Sequence, residues 1–293
     1  MLLAACLTAA AQTLQQSVKE RFDLNGDTHV NVGDVNILLE YILDPSAFDD
    51  EPQVESKTYT VNGVTFKMVA VAGGTFTMGA TSEQGSDYEN DERPTHQVTL
   101  SDYWIGETEV TEALWTAVMG STPSYHKRGD NYPVENVSWD DCQTFITKLN
   151  SLTGETFRLP TEAEWEFAAR GGTKSEGYKY SGSNTIGDVA WYTVNAYDVG
   201  SSSPNYGKHP VATKAANELG IYDMNGNVWE RCQDWYGSYS SAAQTNPTGP
   251  TTGTYRVFRG GSWNNNARFC RVSNRHYFTP SYSDCYLGLR LAR

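Results

Sequence analysis

The densest chemistry in the sequence is a run of oxygen-bearing side chains, Asp23-Leu-Asn25-Gly-Asp27-Thr-His29-Val-Asn31-Val-Gly-Asp34. Counted from Asp23, side-chain oxygens fall at positions one, three, five, nine and twelve, and His29 at position seven can offer its backbone carbonyl. A hard cation that takes several oxygens on a flexible loop suits this spacing, and the expected cation is calcium. A second stretch, Asn225-Gly226-Asn227-Val228-Trp229-Glu230, groups an amide, a carboxylate and turn carbonyls. These can wrap one hard cation or satisfy backbone donors in a turn. The cysteines are Cys6, Cys142, Cys232, Cys270 and Cys285, and the absence of any CxxC spacing argues against zinc. Without Cys6, the remaining four allow three disulfide pairings in an oxidising compartment. Cys270 beside Arg271 is the only candidate nucleophile, because a neighbouring cation lowers a thiol pKa. A structural disulfide or simple burial is the plainer reading of it. No GxSxG or HExxH motif occurs, and His96, His126 and His209 stand among loop residues where ordinary hydrogen bonds account for them.

These groups must be positioned by a chain of 293 residues, enough for one large domain and a small one. Its 22 basic and 35 acidic residues give a net charge of −13, which argues against a nucleic-acid partner. With 8 Trp and 18 Tyr among abundant Gly and Asn, the composition predicts a loop-rich fold stabilised by large side chains and turns. Residues 1–11 read as the end of a signal peptide, so the protein is expected to be exported: periplasmic, secreted or at the cell surface. Ala9-Ala10-Ala11 before Gln12 has the small-residue pattern of ordinary cleavage. Leu3-Ala4-Ala5-Cys6 resembles a lipoprotein box, and only a lipid on Cys6 would bring the protein to a membrane. Residues 12–48 are expected to form a small helical calcium-binding unit, with Val35, Leu38, Leu39 and Ile42 on one helix face. Residues 49–58 read as an acidic, proline-containing linker, and residues 59–293 as the main domain. Within it, Asn62-Gly63 predicts a hairpin turn, and helices are expected over Trp139–Asn150 and Thr161–Arg170.

The loop from Asp23 to Asp34 resembles one repeat of a dockerin, although Thr28 replaces the usual Gly and only one copy is present. A docking partner for this unit is therefore a possible consequence of the resemblance. The main domain resembles the formylglycine-generating, or sulfatase-modifying factor, family. The blocks that carry the resemblance are Gly73-Gly74-Thr-Phe-Thr-Met78-Gly79, Glu109-Val110-Thr111, Pro133-Val134-Glu-Asn-Val137-Ser138-Trp139 and Arg158-Leu159-Pro160-Thr161-Glu162-Ala163-Glu164-Trp165-Glu166. They continue with Gly220 to Glu230, Arg259-Gly260-Gly261-Ser262-Trp263 and Gly288-Leu289-Arg290. The resemblance implies an α+β fold, a loop-rich variant of the C-type lectin fold. It also implies a calcium held by the Asn225 side chain, the Gly226 and Val228 carbonyls, and Glu230. The family's enzymes oxidise a sulfatase cysteine with copper held by two cysteines. Here Asn265 stands at the first of those positions and Cys270 at the second, so only one soft ligand remains and copper is not expected. Arg231 replaces the aromatic residue that usually follows Glu230.

One stretch near the C-terminus departs in a different way. Phe269, His276, Tyr277, Phe278, Thr279, Ser281, Tyr282, Ser283, Asp284, Cys285 and Tyr286 are all residue types reachable from an AAC codon by changing only its adenines. Lys, Glu, Gln, Met and Trp, which such changes cannot produce, are absent from 269–287. This resembles the variable proteins of diversity-generating retroelements, which display such residues on a ligand-binding face. Tyr, His, Phe and Ser together offer rigid aromatic area and adaptable hydrogen bonding. With Pro280 and no clean alternation, residues 276–286 read as an exposed loop, whereas Leu287, Leu289 and Leu291 alternate as core. The expected function is an exported, non-catalytic protein that binds an unknown protein or glycan ligand at this C-terminal face. A formylglycine-generating oxidase and a structural component of a surface complex are the alternatives.

Overall fold

The computed structural model describes residues 55–293. The loop from Asp23 to Asp34, the leader and Cys6 lie outside the described residues. The first sheet begins with β1 (Ser56–Val61) and β2 (Val64–Val71), joined at Asn62 and Gly63 with φ of 48° and 83°. Two successive left-handed residues form the hairpin turn whose twist matches the strands, as the Asn-Gly pair predicts. β1 starts at Ser56, so the expected linker of 49–58 runs too far. Residues 56–58 face solvent and carry no apolar signal, which is why sequence alone placed the boundary late. After β3 (Gly74–Met78) and β4 (His96–Leu100), β5 (Tyr103–Gly106) completes the order β1-β2-β5.

A second sheet joins β3 to β4 antiparallel, with the short β7 (Gln244–Thr245) parallel to β4. The third contains β6 (Trp229–Trp235), β8 (Arg256–Arg259), β9 (Arg275–Phe278) and β10 (Leu287–Leu289). Their order is β10-β6-β8-β9, with β10 parallel to β6 and β9 at an edge. Four helices accompany the sheets: α1 (Glu112–Met119), α2 (Trp139–Thr153), α3 (Glu162–Ala169) and α4 (Ile186–Val189). The first three have hydroxyl N-caps: Thr111, Ser138 and Thr161 each accept a backbone N–H from the first turn. Such caps satisfy donors that a helix start otherwise leaves unpaired. The two helices expected from sequence are α2 and α3. Every residue of α3 is buried, so it lies inside the domain instead of on its surface.

Its apolar side chains, with those of β2 and β4, form one core; α1, α2, β1, Leu289 and Leu291 form another. Between them runs a buried ionic network. Glu230 Oε1 accepts from Arg290 Nη2 at 2.6 Å, while Oε2 accepts from Trp165 Nε1 at 2.6 Å and Arg290 Nε at 2.9 Å. Glu166 accepts from the Gly79 amide at 2.8 Å and from Arg259. Glu109 accepts from Val228 N at 3.1 Å and Asn227 Nδ2 at 2.8 Å. Burial, then the charges of Asp223 and Glu230, push the Glu109 carboxyl well above the usual range. Gly226, at φ +74°, passes so close to Trp191 that a Cβ would lie 2.1 Å from its carbonyl oxygen. Only glycine fits there without displacing backbone.

Removing one member of a buried ion pair leaves the other charge desolvated and unpaired, at a cost of about 3–5 kcal/mol. Glu230→Ala is accordingly expected to lower the unfolding free energy by that amount and the urea midpoint with it, much more than an exposed control such as Glu55→Ala. Equal midpoints for the two variants would remove this network from the stability of the domain.

Candidate ligand-binding face

β8 and β9 build the face. Side chains alternate across a strand, so His276 and Phe278 share one side of β9 while Tyr277 takes the other. The His276 ring stacks on Phe258 at 5.1 Å, and the Phe278 ring stacks on Tyr282 at 3.9 Å. Phe269, Tyr282 and Tyr286 close around Trp229, Phe258 and Leu287. On the opposite side, Tyr277 stacks on Tyr236 at 3.8 Å and meets Tyr255 at 5.2 Å. Tyr277 and Phe278 remain 36% and 38% exposed, which leaves aromatic area on both sides of an edge strand.

The expectation of one exposed loop over 276–286 is therefore corrected. Residues 276–278 belong to β9, and the loop comprises Thr279 to Tyr286. Aromatics on both sides of the strand hid the alternation that would have marked it. In the loop, Ser281 and Ser283 are exposed. The Tyr282 hydroxyl donates to Asp284 Oδ2 at 2.6 Å and lies 3.1 Å from the Tyr286 hydroxyl. Against the upward push of burial, these tyrosine hydrogen bonds hold the Asp284 carboxyl below its ordinary pKa.

The loop backbone is held from outside. Trp139 N donates to the Pro280 carbonyl at 2.9 Å, Asn136 N to that of Asp284 at 2.9 Å, and Trp229 N to that of Tyr286 at 2.8 Å. The Arg231 guanidinium donates to the Tyr282 carbonyl. None of these four bonds uses a side chain of the loop. Arg231 is fully buried, contacts the Val137 carbonyl as well, and has no carboxylate partner among the described residues. Burial lowers its pKa for that reason. Sequence showed its replacement of an aromatic residue but gave no hint of this anchoring.

The cysteine chemistry is closed off. Cys142, Cys232, Cys270 and Cys285 are all free, so none of the three pairings considered from sequence forms. Cys142 and Cys232 lie in different cores and pack as small apolar side chains. Cys270 is fully buried, and burial pushes its thiol up to about 12 despite the adjacent Arg271. The Arg271 guanidinium turns instead to Glu92, donating from Nη1 at 2.8 Å. Asn265 uses its amide oxygen to accept from Trp229 Nε1 at 2.8 Å. This donor set, one protonated thiol and one engaged amide, does not fit Cu(I).

Two side chains of the second oxygen set make hydrogen bonds within the domain. Asn225 Oδ1 accepts from Ser181 N at 2.5 Å, and its Nδ2 donates to the Cys270 carbonyl. Both oxygens of Glu230 serve Arg290 and Trp165. In this structure the Asn225 and Glu230 side chains close the turn and the ionic network. Of the histidines, His96 Nδ1 lies 3.3 Å from the Pro94 carbonyl and His209 Nε2 lies 3.0 Å from that of Asn205. His126 Nδ1 makes no hydrogen bond among the described residues and lies 3.8 Å from Glu135 Oε1.

This loop-rich α+β domain is a variant of the C-type lectin-like fold. Residues 53–293 match the sulfatase-modifying factor enzyme 1-like domain, and the chain belongs to that family. It is 35% identical over 269 residues to chaperone protein LppX of Paenibacillus barcinonensis, covering 77% of this chain and 89% of that protein. It is 36% identical over 203 residues to the formylglycine-generating enzyme of Thermomonospora curvata, covering 65% of this chain and 63% of the enzyme. Among solved structures, Treponema denticola variable protein 1 superposes with a TM-score of 0.70 at 35% identity, covering 81% of this chain and 98% of its own. PvdO from Pseudomonas aeruginosa superposes with a TM-score of 0.64 at 26% identity, covering 81% and 97%.

Thiol accessibility checks this geometry. In native protein treated with a maleimide at mild alkaline pH, Cys285 should label slowly and Cys142, Cys232 and Cys270 only after unfolding. Rapid native labelling of Cys270, read by peptide mass spectrometry, would contradict its burial.

Proposed function

We propose that this chain is an exported, non-catalytic ligand-binding protein whose C-terminal face, built from Phe269 and residues 276–286, is diversified by a retroelement. The observation that carries the proposal is an aromatic, half-exposed surface on a backbone held by main-chain groups and Arg231 from outside the segment. Such a surface can change its side chains while its anchors stay the same. Rigid Tyr and Phe area with interspersed Ser and Asp suits recognition of a macromolecular surface. The likeness to variable protein 1 supports the same reading.

The gene's locus provides the test. A near-copy of the last hundred or so bases with adenines restored, next to a reverse transcriptase gene, is expected. Isolates should then differ mainly at codons 269 and 276–286. A fixed segment with no such copy would overturn diversification. Separately, a sulfatase cysteine peptide given purified protein, copper and oxygen should gain no aldehyde; an aldehyde product would restore the oxidase reading.

We further propose that the unit spanning residues 12–48 binds calcium through Asp23, Asn25, Asp27, the His29 carbonyl, Asn31 and Asp34. Calorimetric titration of the full chain should show one site, lost in Asp23→Ala/Asp27→Ala. Equal calcium uptake by that double variant would place the cation elsewhere.

A further inference from the structure

Behind β9, away from His276 and Phe278, lies a second concavity of 530 Å³. Its floor is formed by Asp234, Glu162 and His96, and the 237–250 segment arches over it with serines, threonines and glycines. Its volume falls in the range of small-molecule sites, roughly 300–1,000 Å³.

The charges on its walls are already spoken for. Arg275 donates to Glu162 from Nε at 2.8 Å and Nη2 at 2.7 Å, and the Tyr239 hydroxyl donates to the same carboxylate at 3.1 Å. The remaining Arg275 donor reaches the carbonyls of Gly237 and Asp91. Asp234 is different. It is 4% exposed, and Oδ2 accepts the Glu162 amide at 2.9 Å. Among the described residues no hydrogen bond engages its other oxygen. Burial, then the Glu162 charge, push this carboxyl up to about 8, so near neutrality it can donate as well as accept.

The lining sorts the ligand classes. Anions would meet the Glu162 carboxylate, and the Arg275 donors that could offset it are already engaged. A metal ion finds no group of three ligating His, Cys, Asp or Glu side chains among the described residues. A flat aromatic ligand would compete with Arg256, which covers the Trp235 ring at 3.5 Å, and Arg275, which covers that of Tyr239 at 4.0 Å. A hydrocarbon would strip water from Asp234 and the loop hydroxyls without replacing its hydrogen bonds. Neutral hydroxyl groups, which both donate and accept, satisfy every exposed partner. We propose that this cavity binds a neutral, hydroxyl-rich ligand of mono- or disaccharide size, held by Asp234 and the hydroxyl groups of the 237–250 segment.

Titration calorimetry on the full chain tests this with galactose, mannose, N-acetylglucosamine and maltose as neutral probes. Glucosamine and glucuronate serve as charged ones. At least one neutral sugar should bind saturably. Ser240→Trp and Thr248→Trp, both on the arch, should each weaken it at least about tenfold. Leu152→Ala, at an exposed position of α2 away from the cavity lining, should leave the affinity unchanged. No binding by any neutral probe, binding by charged probes alone, or affinity indifferent to both arch variants would each overturn the proposal. Measuring both arch variants, with melting curves, keeps a misfolded one from deciding the result.

Discussion

The Glu230–Arg290 pair is the interaction on which the domain depends, because it joins segments far apart in sequence in a place without water. Glu230 lies on β6, Arg290 follows β10, and Trp165 reaches the same carboxylate from α3. Arg290 then ties the pair to the Gly106 and Tyr222 carbonyls. A charge buried this way is tolerated only if all its partners are in place, so the elements must arrive together. Glu166 repeats the principle one layer away, binding Arg259 and the Gly79 amide. The sequence blocks that define the family therefore meet physically, as donors and acceptors of one buried network.

That rigid centre frees the C-terminal surface. Where Glu230 is paired, its neighbour Arg231 is not, and among the described residues its guanidinium finds only the Val137 and Tyr282 carbonyls. A desolvated cation held by carbonyl dipoles costs more than one facing a carboxylate. What it contributes here is a fixed point for the 279–286 backbone that does not depend on the residues displayed. The main-chain bonds from Asn136, Trp139 and Trp229 act in the same way.

The same geometry explains why Asn265 and Cys270 do not form a two-thiolate copper site. A reactive cysteine needs access and a stabilised thiolate. Cys270 has neither, since the glycine turn at Gly261 packs against its sulfur and Arg271 is drawn away to Glu92. Asn265 meanwhile is locked to the Trp229 indole. Side chains that could have been ligands have become structural hydrogen-bond partners.

Local features were legible in the sequence because their causes are local. Asn62-Gly63 requires left-handed backbone, Ser138 and Thr161 cap the helices they precede, and Leu287, Leu289 and Leu291 alternate into the core. The ordered blocks carried the resemblance to the family whose model matches residues 53–293. The use of Glu230 and Asn225 was not legible. An oxygen-rich turn reads alike whether it faces a cation or an arginine, and only tertiary structure brought Arg290 to the carboxylate. Likewise the sequence marked Arg231 as unusual and residues 276–286 as a display segment, but the strand within it emerged only when β8 supplied its pairing edge. The cavity behind β9 left no trace in the sequence, because Asp234, His96 and Arg275 come from separate elements and become neighbours only through folding. Short-range sterics determine what a chain announces by itself; which charge neutralises which, and where space remains, are decided by packing.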